Sequence, residues 1–175
     1  KDVLEVGVGG LIAPMVESKF AAKKFIDAYL KIYQGTPVHT SLNIETKIGV
    51  HNIGEIVEYS AGFIDNITIG RSDLTASYFR DDISPDSGFI LQLIEEIAPI
   101  IHNANMSVTV GGGVTYNTIS KLREKHPKLK DLILKLETRK VIFYTEDILS
   151  KKDSIDQALK LEELYILSKK DFSDM

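Results

Sequence analysis

The chain of 175 residues contains no cysteine and no tryptophan. The absence of cysteine excludes disulfide bonds, thiolate metal sites and a cysteine nucleophile. No apolar run approaches the roughly 20 residues that a membrane-spanning helix needs, and the first residues resemble neither a signal peptide nor a transit peptide. We therefore expect a cytoplasmic protein that does not bind membranes.

An excess of positive charge is also absent, since 21 lysine and arginine residues stand against 25 aspartate and glutamate residues. The formal net charge is −4, which leaves no basic footprint for a nucleic acid. Hydrophobic residues make up 43% of the chain and charged residues 26%, which is typical of a globular domain.

Short apolar runs alternate with segments of helical periodicity along the chain. The strand-like runs are residues 9–15, 38–44, 63–69, 107–110 and 140–144. The helix-like segments run from Ser18 to about Tyr33, over 52–59, from 85–87 onwards, over 117–124 and 127–136, and from Asp153 or Ser154 to about Ser168. Residues 70–79 are predicted to be a loop. This alternation predicts right-handed crossovers and a parallel sheet.

An open doubly wound sheet and a (β/α)8 TIM barrel are both compatible with this pattern. Polar residues follow every predicted strand, which favours the barrel, because barrel enzymes place their sites at that edge. The chain begins at Lys1, and residues 3–10 resemble the end of an element already begun. We expect a single domain over residues 1–175 that supplies about the last five βα units of a TIM barrel. Open sheet edges then favour a homo-oligomer.

Two carboxylates follow successive predicted strands. Glu45 comes after residues 38–44, and Asp73 comes after residues 63–69. Neighbouring parallel strands end side by side, so the two carboxylates together suit one divalent cation, and Mg²⁺ is often held by one or two carboxylates. The alternative is that Glu45 pairs with Lys47 and that Asp73 caps the following helix.

Three linked motifs then define a resemblance. They are Ile12-Ala13-Pro14-Met15-Val16-Glu17-Ser18, Asn43-Ile44-Glu45-Thr46 and Ile69-Gly70-Arg71-Ser72-Asp73-Leu74-Thr75-Ala76-Ser77. In this order and spacing they resemble the HpcH/HpaI aldolase and citrate lyase β-subunit family, which belongs to the phosphoenolpyruvate/pyruvate superfamily of β/α barrels. The similarity runs from about residue 10 to residue 113.

The resemblance implies roles for individual residues. Glu45 and Asp73 would bind Mg²⁺ or Mn²⁺, and this cation would hold a 2-oxo acid and stabilise its enolate as a Lewis acid. The backbone N–H groups of Ser72 and Asp73 would face the substrate carboxylate. Asn43 would hydrogen-bond the substrate. Arg71, where aldolases of the family often have proline, would contact the substrate or form a surface ion pair.

The resemblance also implies what this chain lacks. The substrate-binding arginine and the acid/base residues of the family's aldolases come from earlier strands, so the catalytic residues of the complete site are unknown from this chain. Two loops stay outside the assignment. Gly111-Gly112-Gly113 is either a tight turn or a place where a phosphate approaches the backbone, and Thr138-Arg139-Lys140 is expected at the opposite, stability edge because it precedes the predicted last strand.

The resemblance therefore implies a divalent-metal-dependent carbon–carbon lyase of the class II aldolase type, with a 2-oxo acid and an aldehyde as its small-molecule partners. The first alternative is a citrate-lyase-like enzyme that acts on an acyl-CoA thioester. The second is a non-catalytic barrel fragment or subunit.

Overall fold

The computed structural model describes residues 5–151 and 153–173. Its centre is one sheet of six strands in the order β1-β2-β3-β4-β5-β6. The strands are β1 Gly10–Ala13, β2 His39–Ile44, β3 Asn66–Gly70, β4 Ser107–Gly111, β5 Ile133–Glu137 and β6 Ile142–Tyr144. The strands β1 to β5 are parallel to one another, whereas β6 runs antiparallel to β5. The sheet forms half of a barrel, and five parallel strands are the number expected from the sequence.

Helices follow the parallel strands. They are α1 Lys19–Tyr33, α2 Lys47–His51, α3 Ile53–Ser60, α4 Arg71–Ala76, α5 Gly88–Asn103, α6 Tyr116–Glu124, α7 Pro127–Leu132, α8 Thr145–Ser150 and α9 Ser154–Ser173. The predicted first helix is confirmed in detail, because the Ser18 hydroxyl accepts a hydrogen bond from the Ala21 N–H at its start, as an N-cap does. None of the described helices is long and apolar enough to span a bilayer.

The two faces of the sheet have different chemistry. Alternate side chains of each strand point to opposite faces, and one set is apolar and covered by the helices. Its most deeply buried members are Leu42, Ile44, Ile67, Ile69, Val108 and Val110. This face is the hydrophobic core that stabilises the half-barrel.

The opposite face is polar and hydrogen-bonded across its strands. The Asn66 amide group donates to Ser41 Oγ at 2.8 Å and to Thr68 Oγ1 at 3.1 Å. Its carbonyl oxygen accepts from Ser107 Oγ at 2.8 Å and from Thr109 Oγ1 at 2.9 Å. All four amide contacts are therefore made within this face, so burying Asn66 leaves no unmade hydrogen bond.

The polar face is also the concave one. A recess of about 180 Å³ is lined by β1 on one side and by Lys135, Glu137 and Ile142 on the other. Strands at both ends of the sheet order thus border the same space, as they do when a sheet curls towards closure.

Two predicted segments differ from the structure. The third strand begins at Asn66 rather than at residue 63, because the N–H groups of Phe63 and Ile64 bond to Ser60 O and close the turn after α3. The predicted loop 70–79 contains the short helix α4. The predicted element at residues 3–10 begins outside the described residues.

The prediction of one helix over residues 127–136 is wrong. The helix α7 ends at Leu132, and Ile133 begins the fifth parallel strand. Ile133 and Leu136 are both buried although they are three residues apart. The register jumps from Val108↔Ile133 to Thr109↔Lys135, so a β-bulge at Leu134 shifts the alternation by one residue. That spacing imitates a helix.

The same correction moves the last predicted strand. Residues 140–144 contain the antiparallel strand β6, not the fifth parallel one. The turn between β5 and β6 is closed by Thr138, whose N–H donates to Val141 O. Thr138-Arg139-Lys140 therefore lies at the carboxyl ends of the parallel strands, not at the opposite edge as predicted.

Candidate functional site

The Glu45 side chain is fixed where β2 ends. Its Oε1 atom accepts a hydrogen bond from the Met15 N–H at 3.1 Å, and Met15 adopts a left-handed backbone with φ of 54° to donate it. Its Oε2 atom lies 2.7 Å from the position that a Cβ atom would occupy at residue 70, so only the glycine present there leaves room for this carboxylate. Within the described residues Glu45 forms no ion pair with Lys47. The Nζ atom of Lys47 instead lies over the Phe79 ring, 5.6 Å from its centroid.

The Asp73 side chain is exposed in the first turn of α4. Gly70, which has no side chain, is the N-cap of this helix, so Asp73 is not the capping residue. Within residues 5–151 and 153–173 its carboxylate has no hydrogen-bond or ion-pair partner. Both simple alternatives for the two carboxylates, a lysine pair and a helix cap, are therefore absent.

A third carboxylate, Glu137, was not among the predicted residues. It ends β5, and its Cβ lies 3.6 Å from the place of a Cβ on Gly111. Partial burial, together with the negative charge of Glu45, raises the pKa of Glu137. The rule that polar residues follow the strands would have found it, but the bulge at Leu134 hid the strand. We call Glu45, Asp73 and Glu137 the acidic edge.

Asn43 lies on the polar face two residues before Glu45. Its Oδ1 atom is buried and has no hydrogen-bond partner among the described residues. A buried amide oxygen without a partner is costly and usually has a ligand or water to satisfy it. This orphaned acceptor lies on the same strand face as Glu45, on the concave side.

Gly112 brings the loop after β4 against the start of α4. A Cβ at this position would lie 2.5 Å from Ser72 N and 2.7 Å from Arg71 N, and Gly112 has a φ of 77°. Gly112 thus permits the loop backbone to pack directly against the start of α4, where a residue with a side chain would clash.

Arg71 corrects a prediction. It is fully buried, and its guanidinium donates to Gly111 O at 3.1 Å, Asp86 Oδ1 at 2.5 Å, Pro85 O at 3.3 Å and Thr118 Oγ1 at 3.4 Å. Burial lowers the pKa of Arg71, and the charge of Asp86 opposes that shift. The ion pair of Arg71 is therefore buried, not on the surface as predicted, and protein groups occupy all three of its nitrogens.

Asp86 is the centre of this buried network. Besides Arg71, its carboxylate accepts from Thr118 Oγ1 at 2.8 Å and Asn117 Nδ2 at 3.0 Å, and its backbone oxygen accepts from Lys121 Nζ at 2.5 Å. We call Arg71, Asp86, Asn117 and Thr118 the paired network. It joins the start of α4, the segment before α5 and the start of α6.

The geometry limits how a metal ion is held. No group of three or more histidine, cysteine, aspartate or glutamate side chains in the described part of the chain is arranged to hold one ion. At most two carboxylates then ligate directly, which suits Mg²⁺ because this ion keeps several waters. A larger cavity of about 450 Å³ lies at the amino ends of β4 and β5, bordered by Ser107 and Ile133, away from the acidic edge.

A half-barrel of parallel strands with acidic side chains at their carboxyl ends is the architecture of the β/α-barrel enzymes. Residues 1–108 match the family model described as HpcH/HpaI aldolase/citrate lyase. This match covers more than half of the chain, and the chain belongs to that family. The comparison with curated protein sequences gives no significant match.

Solved structures support the same fold. The HpcH/HpaI aldolase from Desulfitobacterium hafniense is 12% identical, with a TM-score of 0.61 over 78% of this chain and 59% of that chain. The citrate synthase SbnG is 14% identical, with a TM-score of 0.60 over 97% of this chain and 67% of that chain. CitE from Mycobacterium tuberculosis, solved with magnesium and acetoacetate, is 15% identical, with a TM-score of 0.50 over 74% of this chain and 49% of that chain.

At these identities the likeness shows the fold alone. The chain spans between 49% and 67% of the length of these three proteins.

Proposed function

We propose that this chain forms the cation-binding half of a divalent-metal-dependent carbon–carbon lyase of the class II aldolase type. Its substrate would be a 2-oxo acid such as pyruvate, joined to or released from an aldehyde. The family membership supports a lyase or aldolase. The finer assignment rests on the acidic edge, above all on the fixed position of Glu45.

The Glu45 geometry is the observation that carries the proposal. One oxygen is held by the Met15 N–H, and the other accepts no hydrogen bond from any described residue. The missing side chain of Gly70 makes room for that second oxygen. A carboxylate held in this way is prepared to bind a cation without first breaking a lysine pair.

Asp73 and Asn43 support the same reading. Asp73, in the helix that follows the next strand, adds an exposed carboxylate that has no partner among the described residues. Together with Glu45 it would supply the two acidic ligands that Mg²⁺ commonly uses. The unpaired Oδ1 atom of Asn43 adds a buried acceptor on the concave side. Mg²⁺ or Mn²⁺ is therefore the cofactor that these side chains fit.

When bound, such a cation supplies Lewis-acid polarisation of the carbonyl group of the 2-oxo acid. The chain's own residues orient both partners. Glu45 and Asp73 would hold the cation, and Asn43 would hydrogen-bond the substrate. The start of α4 would place the backbone N–H groups of Ser72 and Asp73 near the substrate carboxylate.

The experiment is deuterium exchange into the methyl group of pyruvate, followed by NMR with Mg²⁺ or Mn²⁺ and the longest natural form of the chain. Exchange reports the loss and return of a proton at the carbon next to the carbonyl, without any need for the aldehyde. We expect cation-dependent exchange in the wild type and none in Glu45→Gln. Glu55→Gln, an exposed acid on α3, is the matched control and should leave exchange unchanged.

Each other outcome is informative. Cation binding without exchange would reject the free 2-oxo acid and favour the citrate-lyase-like alternative, which an acyl-CoA thioester in the same assay then tests. Absence of cation binding would reject the proposed lyase and leave the non-catalytic fragment or subunit. Equal exchange in wild type and Glu45→Gln would remove Glu45 from the site.

A further inference from the structure

Glu137 reaches the carboxyl edge from the side opposite Glu45. Gly70 of β3 pairs with Gly111 of β4 in the sheet register. Glu45, which follows the end of β2, lies against Gly70, and Glu137, the last residue of β5, lies against Gly111. The neighbouring strands β3 and β4 thus both end in glycine, without a side chain. Glu45 lies on one side of this glycine pair, and Glu137 lies on the other.

No protein group satisfies the Glu137 carboxylate. Within the described part of the chain it accepts no hydrogen bond and forms no ion pair. Lys135, two residues earlier on the same strand, lies over the Tyr144 ring instead, with Nζ 5.9 Å from its centroid. Partial burial raises the pKa of Glu137, and so does the charge of Glu45. An acid in this environment benefits from a nearby cation or its water.

A second observation is an unsatisfied acceptor on β2. The Asn43 Oδ1 atom, on the Glu45 strand and on the same face, is buried and unpaired. On the same concave surface, Asn66 makes all its hydrogen bonds to protein. On this concave surface the unpaired oxygens of Asn43 and Glu137 therefore lie near the carboxyl edge, where a hydrated ligand would satisfy them.

We propose that Glu137 is a positioning residue that accepts hydrogen bonds from the hydration shell of the cation held by Glu45 and Asp73. This inference rests on the proposed function, since it needs that cation. Glu137 acts through water and not as a ligand, because the described residues contain no three acidic or histidine side chains arranged around one ion. Carboxylates that hold a metal's outer shell typically change its affinity by about 10–100-fold.

The test is Mn²⁺ binding followed by electron paramagnetic resonance on the full chain, with water-proton relaxation to count the waters on the ion. We expect Glu137→Gln to weaken Mn²⁺ about 10–100-fold without changing the number of bound waters. Glu45→Gln should lose binding, or gain a water in place of the lost ligand. Glu146→Gln, an exposed acid at the opposite edge, is the charge-matched control and should bind as the wild type does.

The outcomes separate the two proposals. If the wild type binds Mn²⁺, Glu45→Gln does not, and Glu137→Gln equals the wild type, the role of Glu137 is overturned and the lyase proposal stands. If Glu137→Gln gains a bound water, Glu137 is a direct ligand and the water-mediated role is wrong. If the wild type binds no Mn²⁺, both proposals fail. Circular dichroism of each variant checks that the fold is intact, and Glu137→Asp, which keeps the charge, should recover part of the affinity.

Discussion

The paired network and the acidic edge both include a residue of the short helix α4, but their charged groups differ in burial and in pairing. Arg71, the first residue of α4, is fully buried, and each of its three nitrogens donates to a protein acceptor. Asp73, two residues later, is exposed, and its carboxylate has no partner in the described residues. Charge that is completely paired holds three segments together, whereas unpaired charge beside it is available to a ligand. Position next to a strand end does not by itself distinguish the two.

The largest expected effect comes from breaking the paired network. Arg71→Met leaves Asp86 buried without its cation, which typically costs about 3–5 kcal/mol. Urea unfolding should show this loss in the free energy of unfolding. Arg80→Met is the control, because Arg80 is exposed, pairs with exposed Asp82 and lies over the Phe89 ring, and the change in its free energy of unfolding should stay below about 1 kcal/mol. Equal stability of the two variants would contradict a structural role for Arg71.

A smaller effect should separate two asparagines on the concave face. Asn66→Leu removes an amide that makes four hydrogen bonds, and we expect a loss of about 2–3 kcal/mol. Asn43→Leu removes an oxygen that has no partner among the described residues, and we expect between no loss and a gain of about 1 kcal/mol in the free energy of unfolding. Thermal unfolding of both variants gives the comparison. A large loss in Asn43→Leu would mean that this amide serves the fold rather than a ligand.

The smallest effect should separate affinity from stability at the acidic edge. Gly70→Ala places a methyl group 2.7 Å from Glu45 Oε2, so the carboxylate must move, and we expect at least about a tenfold loss of Mn²⁺ affinity, or about 1.4 kcal/mol. Gly54→Ala is the matched control, because it lies in α3 with open space around it and should stabilise the fold by about 0.5–1 kcal/mol. Calorimetric titration with Mn²⁺ measures both. Unchanged affinity in Gly70→Ala would argue against Glu45 as a ligand.

Much of the fold was predictable because local patterns and the sheet agree. The first helix has its serine cap, and the parallel strands β1 to β4 follow short apolar runs of the expected length. Glu45 and Asp73 were found by one rule, that the carboxyl ends of parallel strands meet at one edge. Their positions do lie at that edge, and their roles stay proposals.

The failures have physical causes that sequence patterns do not carry. One extra residue at Leu134 placed Ile133 and Leu136 on the same face, and this spacing is also that of a helix. The error then hid Glu137 and moved the following turn to the wrong edge. Arg71 was misjudged for another reason. Its side chain is long enough to reach Asp86, fifteen positions later, and such a partner is visible only in three dimensions.

The β5–β6 hairpin makes the two edges of the sheet unequal as places where another strand can pair. At one edge of the sheet, β6 pairs with the outer side of β5 and has only three residues. This edge therefore offers an additional strand only a short antiparallel strand to pair with. The other margin, β1, still offers a parallel strand with one ladder of N–H and C=O groups unused among the described residues. Additional strands, from a longer form of the chain or from a neighbouring molecule, would therefore add at β1, and mispairing between molecules in concentrated solution should begin there too.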